Sequence, residues 1–341
     1  MSTISTARGD AATAGRRFIA DLAPSERIQG LYSVSNAQLG RTRQDKPYLK
    51  CIVGDRTGEM PARMWSIDEA TFRSLPTDGF AVIEGETQPY QGELQLIIHT
   101  IAPAEPSSEE MRDLLPCSKR PVPEMFAELT TLLATLKHPA MQALAKLYLD
   151  DKFLMDAFRQ APAAKSMHHA YLGGLLEHTL TLVKLADLIC PLYPKVNRDL
   201  VMMGLFLHDL GKTRELVYDR AFSYSDRGEL IGHIVEGAIM LHDKAHQLIR
   251  EQGIRLPNGA LTVLQHIIIS HHGVPEFGAA KIPATPEAIL VAHLDNLDAK
   301  TTMALAAARP ERTNSFDAGG NFTEKQWALD TKIYRPDVLA S

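Results

Sequence analysis

Cysteine is scarce in this chain: Cys51, Cys117 and Cys190 are the only three in 341 residues, too far apart to make a CxxC pair. That excludes a disulfide framework or a zinc ribbon and fits a reducing cytoplasm, the expected compartment. Long hydrophobic runs are missing too. Every apolar stretch meets a charge or a histidine before it reaches membrane-spanning length, so no membrane partner is expected. Residues 1–21 lack the apolar centre of a secretory signal and are expected to be a partly disordered leader. Nor is there an excess of positive charge. A formal net charge of −5 means that nucleic-acid binding would need a local basic groove. What remains, 45% hydrophobic and 23% charged residues, is ordinary for a soluble globular chain with room for two or three domains.

The pattern changes part-way along. From 26 to 103 it is strand-like, with the turn signal Asp55-Arg-Thr-Gly58, a second turn at Tyr90-Gln-Gly92 and a short helix predicted over 67–75. Five strands with one helix after the third resemble an OB-fold of the anticodon-binding type. The most recognisable phrase is Asp55-Arg-Thr-Gly-Glu-Met-Pro-Ala-Arg-Met-Trp65. The resemblance implies an all-β barrel over 22–104 that binds single strands by stacking bases on aromatics beside basic side chains. Tyr32, Tyr48, Trp65 and Tyr90, with Arg63 and also Arg41, Arg43, Lys46 and Lys50, are the available parts. Trp65 and one tyrosine are equally candidates for the barrel core.

Residues 105–120, rich in proline and charge, read as a linker. From 121 to 335 the spacing is helical, predicting an all-α bundle with helices over 124–137, 141–151, 153–160, 164–190, 197–210, 229–247, 259–270, 285–309 and 323–330. A loop or hairpin is expected over 214–228. Gly173-Gly174 inside a helix costs about 1 kcal/mol per glycine, which points to a close crossing or a ligand near the backbone.

The chemistry centres on Gly204-Leu-Phe-Leu-His-Asp-Leu-Gly-Lys212. An apolar run carries His208 and Asp209 inward, and burying either without a partner costs several kcal/mol. Candidate partners are His178, His233, His271, His272 and Asp295, and a divalent metal site is the most economical account. The phrases Gly-Leu-Leu-Glu-His178-Thr, Leu-His208-Asp-Leu-Gly-Lys212 and Asp295-Asn-Leu-Asp298 resemble the HD phosphohydrolase superfamily. That resemblance implies His178, His208, Asp209 and Asp295 as ligands on separate helices. It also implies a second ion on His233 and either His271 or His272, with Asp209 bridging. Histidines and carboxylates suit Mn²⁺, Fe²⁺, Mg²⁺ or Zn²⁺ alike, so donor type does not choose the metal. His266 and Asp298 are expected either just outside the ligands or in ordinary packing. His168 and His169 are candidates for touching a substrate phosphate.

With the barrel in front, the chain resembles the YhaM-type 3′–5′ exoribonucleases over roughly residues 21–337. The marks are those phrases together with Leu230-Ile-Gly-His233 and Ser270-His-His-Gly273. The resemblance implies Mn²⁺-dependent removal of nucleotides from single-stranded RNA, activity on single-stranded DNA, and a homo-oligomer. Hydrolysis by activated water is expected, with Asp209 and Lys212 at the reacting centre. The competing expectations are an HD-type nucleotide or cyclic-dinucleotide phosphohydrolase and a non-catalytic single-strand-binding protein.

Overall fold

A computed structural model describes residues 16–42, 44–75, 79–90, 93–107, 110–164, 169–218, 223–309 and 320–339. Most of the leader, Arg43, the Gln91-Gly92 turn and His168 lie outside them. The chain forms two compact units that meet in sequence at Pro116 and Cys117.

The first unit is a closed barrel of β1 (Arg27–Arg41), β2 (Pro47–Asp55), β3 (Gly58–Trp65), β4 (Gly79–Tyr90) and β5 (Glu93–Pro103), in the order β1-β2-β3-β5-β4. Helix α1 (Glu69–Ser74) follows β3, started by Asp68, whose carboxylate accepts from the Thr71 amide at 2.8 Å. Alternation drives closure. Leu49, Cys51 and Val53 of β2 point inward while Lys50 between them is exposed, as a pleated strand with one buried face requires. The long β1 pairs with β4 along its first half and with β2 along its second, with a register shift between Ser35 and Gln38. A parallel pairing of Ala62 with Leu96 and Arg63 with Ile97 completes the ring.

Two stretches outside the barrel strands also carry structure. Part of the leader is structured, because the Ile19 amide donates to Asp55 Oδ2 at 2.8 Å and Ile19 itself is buried. Part of the expected linker is α2 (Met111–Leu114), and the Asp113 carbonyl accepts from the Arg56 amide and from Arg16 Nη2, both at 3.0 Å.

The second unit is helical: α3 (Val122–Leu133), α4 (Pro139–Leu149), α5 (Lys152–Gln160), α6 (Gly174–Ile189), α7 (Arg198–Leu207), α8 (Lys212–Glu215), α9 (Asp226–Gln252), α10 (Ala260–Ser270) and α11 (Pro286–Ala308). Between α8 and α9 runs a two-stranded ribbon, β6 (Leu216–Val217) with β7 (Ser223–Tyr224), the hairpin expected there. Helix α7 is buried almost all round, from Val201 to Leu207, and packs in one apolar core with α6, α10 and α11. A helix without a polar face must sit at the centre of its bundle. Its C-terminal end therefore delivers His208 and Asp209 into the interior.

The long helix predicted over 164–190 begins only at Gly174. Gly173 takes the left-handed conformation at φ 80°, and a Cβ on Gly174 would run into the His169 carbonyl. The glycine pair thus serves a tight loop-to-helix junction. The helix expected over 323–330 is reduced to a single turn at Trp327–Leu329. Among the described residues, no helix is long and apolar enough to cross a membrane.

Candidate metal centre

Five elements aim polar side chains at one point of the helical unit. Helix α6 supplies His178; the end of α7 supplies His208 and Asp209; α9 supplies His233; the end of α10 supplies His271 and His272; α11 supplies Asp295. His178, His208, Asp209 and His271 are all buried. His233 reaches the point through a break in its helix. Gly232 has φ 74° and ψ 158°, a conformation essentially restricted to glycine, and the chain turns there before the helix resumes.

Asp209 is the hub. Its Oδ2 lies 3.3 Å from His208 Nε2, 3.8 Å from His178 Nε2 and 2.7 Å from Lys212 Nζ. Its Oδ1 lies 3.5 Å from both His233 Nε2 and His271 Nε2. Asp295 Oδ1 stands 3.2 Å from His178 Nε2. Ligands held at about 2.1 Å from a shared ion lie about 3 Å from one another, so these are the separations of a donor shell.

The outer nitrogens explain the aim. His208 Nδ1 donates to the Leu205 carbonyl and His271 Nδ1 to the Ile268 carbonyl, both at 2.7 Å. His272 Nδ1 donates to the Phe277 carbonyl at 2.6 Å. A carbonyl can only accept, so each Nδ1 carries a proton and each ring turns its Nε2 inward. Carboxylates do the same for the other two: Asp298 Oδ2 accepts from His178 Nδ1 at 2.7 Å, and Glu215 Oε1 from His233 Nδ1 at 2.9 Å. Supports of this kind orient metal-bound imidazoles and raise their basicity. The inward atoms His208 Nε2, His233 Nε2, His271 Nε2 and Asp209 Oδ1 are buried with no hydrogen-bond partner among the described residues. Several such atoms facing one another would be costly, and a divalent cation is the occupant that this donor set fits.

The charges are consistent with that. Burial tends to raise the Asp209 carboxyl, but the Lys212 ammonium and His208 outweigh it and hold it well below the usual range. Burial keeps His233 and His271 below the ordinary imidazole value. Burial and then the neighbouring His271 bring His272 down to about 4. These three rings are therefore neutral donors at pH 7. His178 goes the other way: burial works against its charge, yet Asp295 and Asp298 push it up to about 9, so a cation bound there would displace its Nε2 proton.

The structure brings together every residue expected at the metal, including both His271 and His272, which share one donor group with His233. Two expectations need correcting. His169 is not a surface residue awaiting a phosphate. It is 7% exposed, with Nε2 on Asp298 at 3.0 Å and Nδ1 on the Tyr171 hydroxyl at 2.8 Å. Tyr32 is not available to a base either. It is fully buried in the barrel, and its hydroxyl donates to the Arg17 carbonyl at 2.8 Å. Trp65, a candidate for the core, is instead 47% exposed. Tyr48 lies directly across from it on β2, with ring centroids 5.3 Å apart. The Arg63 guanidinium sits 5.1 Å from the Tyr90 ring. His266 accepts from the Ala284 amide at 2.8 Å, an ordinary packing role. Glu215 was missed in the sequence, where nothing distinguishes it from any other helix-end glutamate.

Comparison with known proteins adds the family. Residues 175–300 match the HD domain, a span that holds His178 through Asp298. A 3′–5′ exoribonuclease YhaM of Shouchella clausii is 33% identical over 319 residues, covering 91% of this chain and 94% of the relative. The chain belongs to the YhaM exoribonuclease family. The YhaM protein of Bacillus subtilis is 30% identical over 316 residues, covering 91% of this chain and 95% of its own. The likeness to YhaM proteins therefore extends beyond the HD match into the barrel.

Within this YhaM-family centre, the outer carboxylates should be separable from the donors. Asp298→Asn and Glu215→Gln keep size but weaken the support of one imidazole each. Each is expected to lower metal affinity by about 10–100-fold, measured by titration of the metal-stripped protein. An unchanged affinity in both variants would mean that these carboxylates serve only packing.

Proposed function

We propose that this chain is a metal-dependent 3′–5′ exoribonuclease that hydrolyses single-stranded RNA from its 3′ end. The observation that carries the reading is the convergence of buried, unpartnered imidazole nitrogens on both oxygens of Asp209, in a member of the YhaM family. In this proposal His178, His208, Asp209 and Asp295 would hold one divalent ion. His233, His271 and His272 would hold a second, with Asp209 shared, and Mn²⁺ is the proposed metal. When bound, such ions supply hydroxide at neutral pH and neutralise the phosphoryl oxygens during in-line displacement.

The chain's own groups do the rest. Asp209 stays ionised because Lys212 is held against it, and burial of the centre limits competing water. The Lys212 ammonium stays charged because the attraction of Asp209 outweighs burial, which alone would lower its pKa. It is thereby placed to receive negative charge developing on a phosphate oxygen. The exposed Trp65 and Tyr90, with the half-buried Tyr48 and Arg63 of the barrel, would stack successive bases and raise the local concentration of strand at the centre. That face favours a strand over a free nucleotide or cyclic dinucleotide, which would need no such platform. Single-stranded DNA as a second substrate, a homo-oligomeric assembly and a cytoplasmic location complete the proposal.

The test is polarity. With Mn²⁺, 5′-labelled single-stranded RNA should give a ladder of products shortened from the 3′ end. Internal cuts alone, or cleavage of nucleotides with RNA left intact, would replace this reading with one of its competitors.

A further inference from the structure

Immediately beyond His271-His272 the chain makes a tight turn, Pro275–Phe277, closed by Gly278 at φ 96°. The turn is pinned at both ends: the Phe277 amide donates to the Val274 carbonyl at 3.1 Å, and the Gly278 amide to the Pro275 carbonyl at 2.9 Å. The Phe277 carbonyl holds His272 Nδ1, so this residue's backbone is part of the scaffold of the centre. Its side chain is not used there. The ring is 64% exposed, Val274 at the start of the turn is exposed too, and Phe277 has no ring partner among the described residues.

A single exposed apolar side chain is unremarkable on a protein surface. The position of this one sets it apart. The centre is closed on the side of His178 and His208, both at 0% exposure, and more open on the side of His233 and Asp295, whose side chains are 12% and 14% exposed. The His233 and His272 rings stand 5.2 Å apart on that open side. One of them is followed by Phe277 on its rigid turn. The other is preceded, three residues earlier in α9, by Leu230, which is 84% exposed. Exposed apolar side chains thus lie close along the chain to both rings of that histidine pair, on two elements.

We propose that Phe277 is the stacking platform for the nucleobase of the 3′-terminal nucleotide, with Leu230 bordering the same subsite. This rests on the exoribonuclease reading and adds what holds the residue about to be removed. A phenyl ring offers a face to every base and no hydrogen bond to any, so the subsite would secure the terminal nucleotide without selecting its identity. The function fits an enzyme that must accept each new 3′ end in turn.

The experiment uses the full chain loaded with Mn²⁺ and two RNAs that differ only at the last nucleotide, ordinary in one and abasic in the other. Phe277→Ala should raise KM for the ordinary RNA about tenfold with kcat and metal content unchanged, since the carbonyl on His272 remains. The native chain should lose the same factor on the abasic RNA, and the two losses should not compound. Phe277→Trp should restore the native KM on ordinary RNA. If Phe277→Ala weakens both RNAs equally, or neither, the subsite is refuted while the exoribonuclease reading stands. A native chain that shortens neither RNA refutes both.

Discussion

Asp209→Asn is expected to lower the rate of RNA hydrolysis by about three orders of magnitude or more, because the lost transition-state stabilisation amounts to several kcal/mol at a tenfold rate change per 1.36 kcal/mol. The substitution preserves volume and removes the one negative charge shared by both groups of histidines. One oxygen of Asp209 faces His178 and His208 and the other faces His233 and His271, so no neighbour can take over its position. An amide there also turns an N–H group toward any cation the carboxylate would hold, an unfavourable pairing. The variant has a second consequence. Lys212 is buried against this carboxylate at 2.7 Å, and removing one partner of a buried pair typically costs about 3–5 kcal/mol. Thermal unfolding must therefore be followed beside activity. Asp209→Asn combined with Lys212→Met should recover much of the stability and none of the hydrolysis. Metal content by atomic emission supplies the independent readout. A variant that kept its metal and a rate within tenfold of the native chain would remove Asp209 from the hub of the site.

The second large effect should appear on the barrel. Trp65→Ala is expected to raise KM for long single-stranded RNA by roughly tenfold or more, since stacking one base contributes about 1–3 kcal/mol. Hydrolysis of a dinucleotide, too short to reach a second platform, should be unchanged. The physical ground is the placement of the indole. Trp65 ends β3 half-exposed, with Tyr48 beside it, and Arg63 lies 5.9 Å from its ring centroid and 5.1 Å from that of Tyr90. An exposed aromatic group with a cation among its rings suits both the bases and the backbone of a strand. Trp65→Phe should retain most of the affinity. Equal losses on RNA and dinucleotide would show that the substitution acts on folding and not on a platform.

Much of this was legible along the chain. The alternation in β2 and the Asp55-Arg-Thr-Gly58 turn announce the barrel, and the break to helical spacing after residue 120 announces the bundle. Local phrases around His178, His208-Asp209 and Asp295 announce the centre, because an ionisable group at the end of an apolar run needs an unusual partner wherever it is buried. Faces and supports were less legible. Alternation assigns the residues of a strand to two sides, but only closure of the ring decides which aromatic fills the interior. Tyr32 fills it, and Trp65, a candidate for the same place, lies outside.

The same limit applies around the metal centre. His178 is held by Asp298, 120 positions away, and His233 by Glu215 across a helix broken at Gly232. His169, which the loop before α6 returns to the interior, joins the support of Asp298 and leaves the surface. The sequence by itself determined which chemical groups were present and the periodicity that carries them inward, since both are local properties of the chain. Only the tertiary structure decided which group faces which, because helix crossings and one broken helix set those distances among residues far apart in sequence.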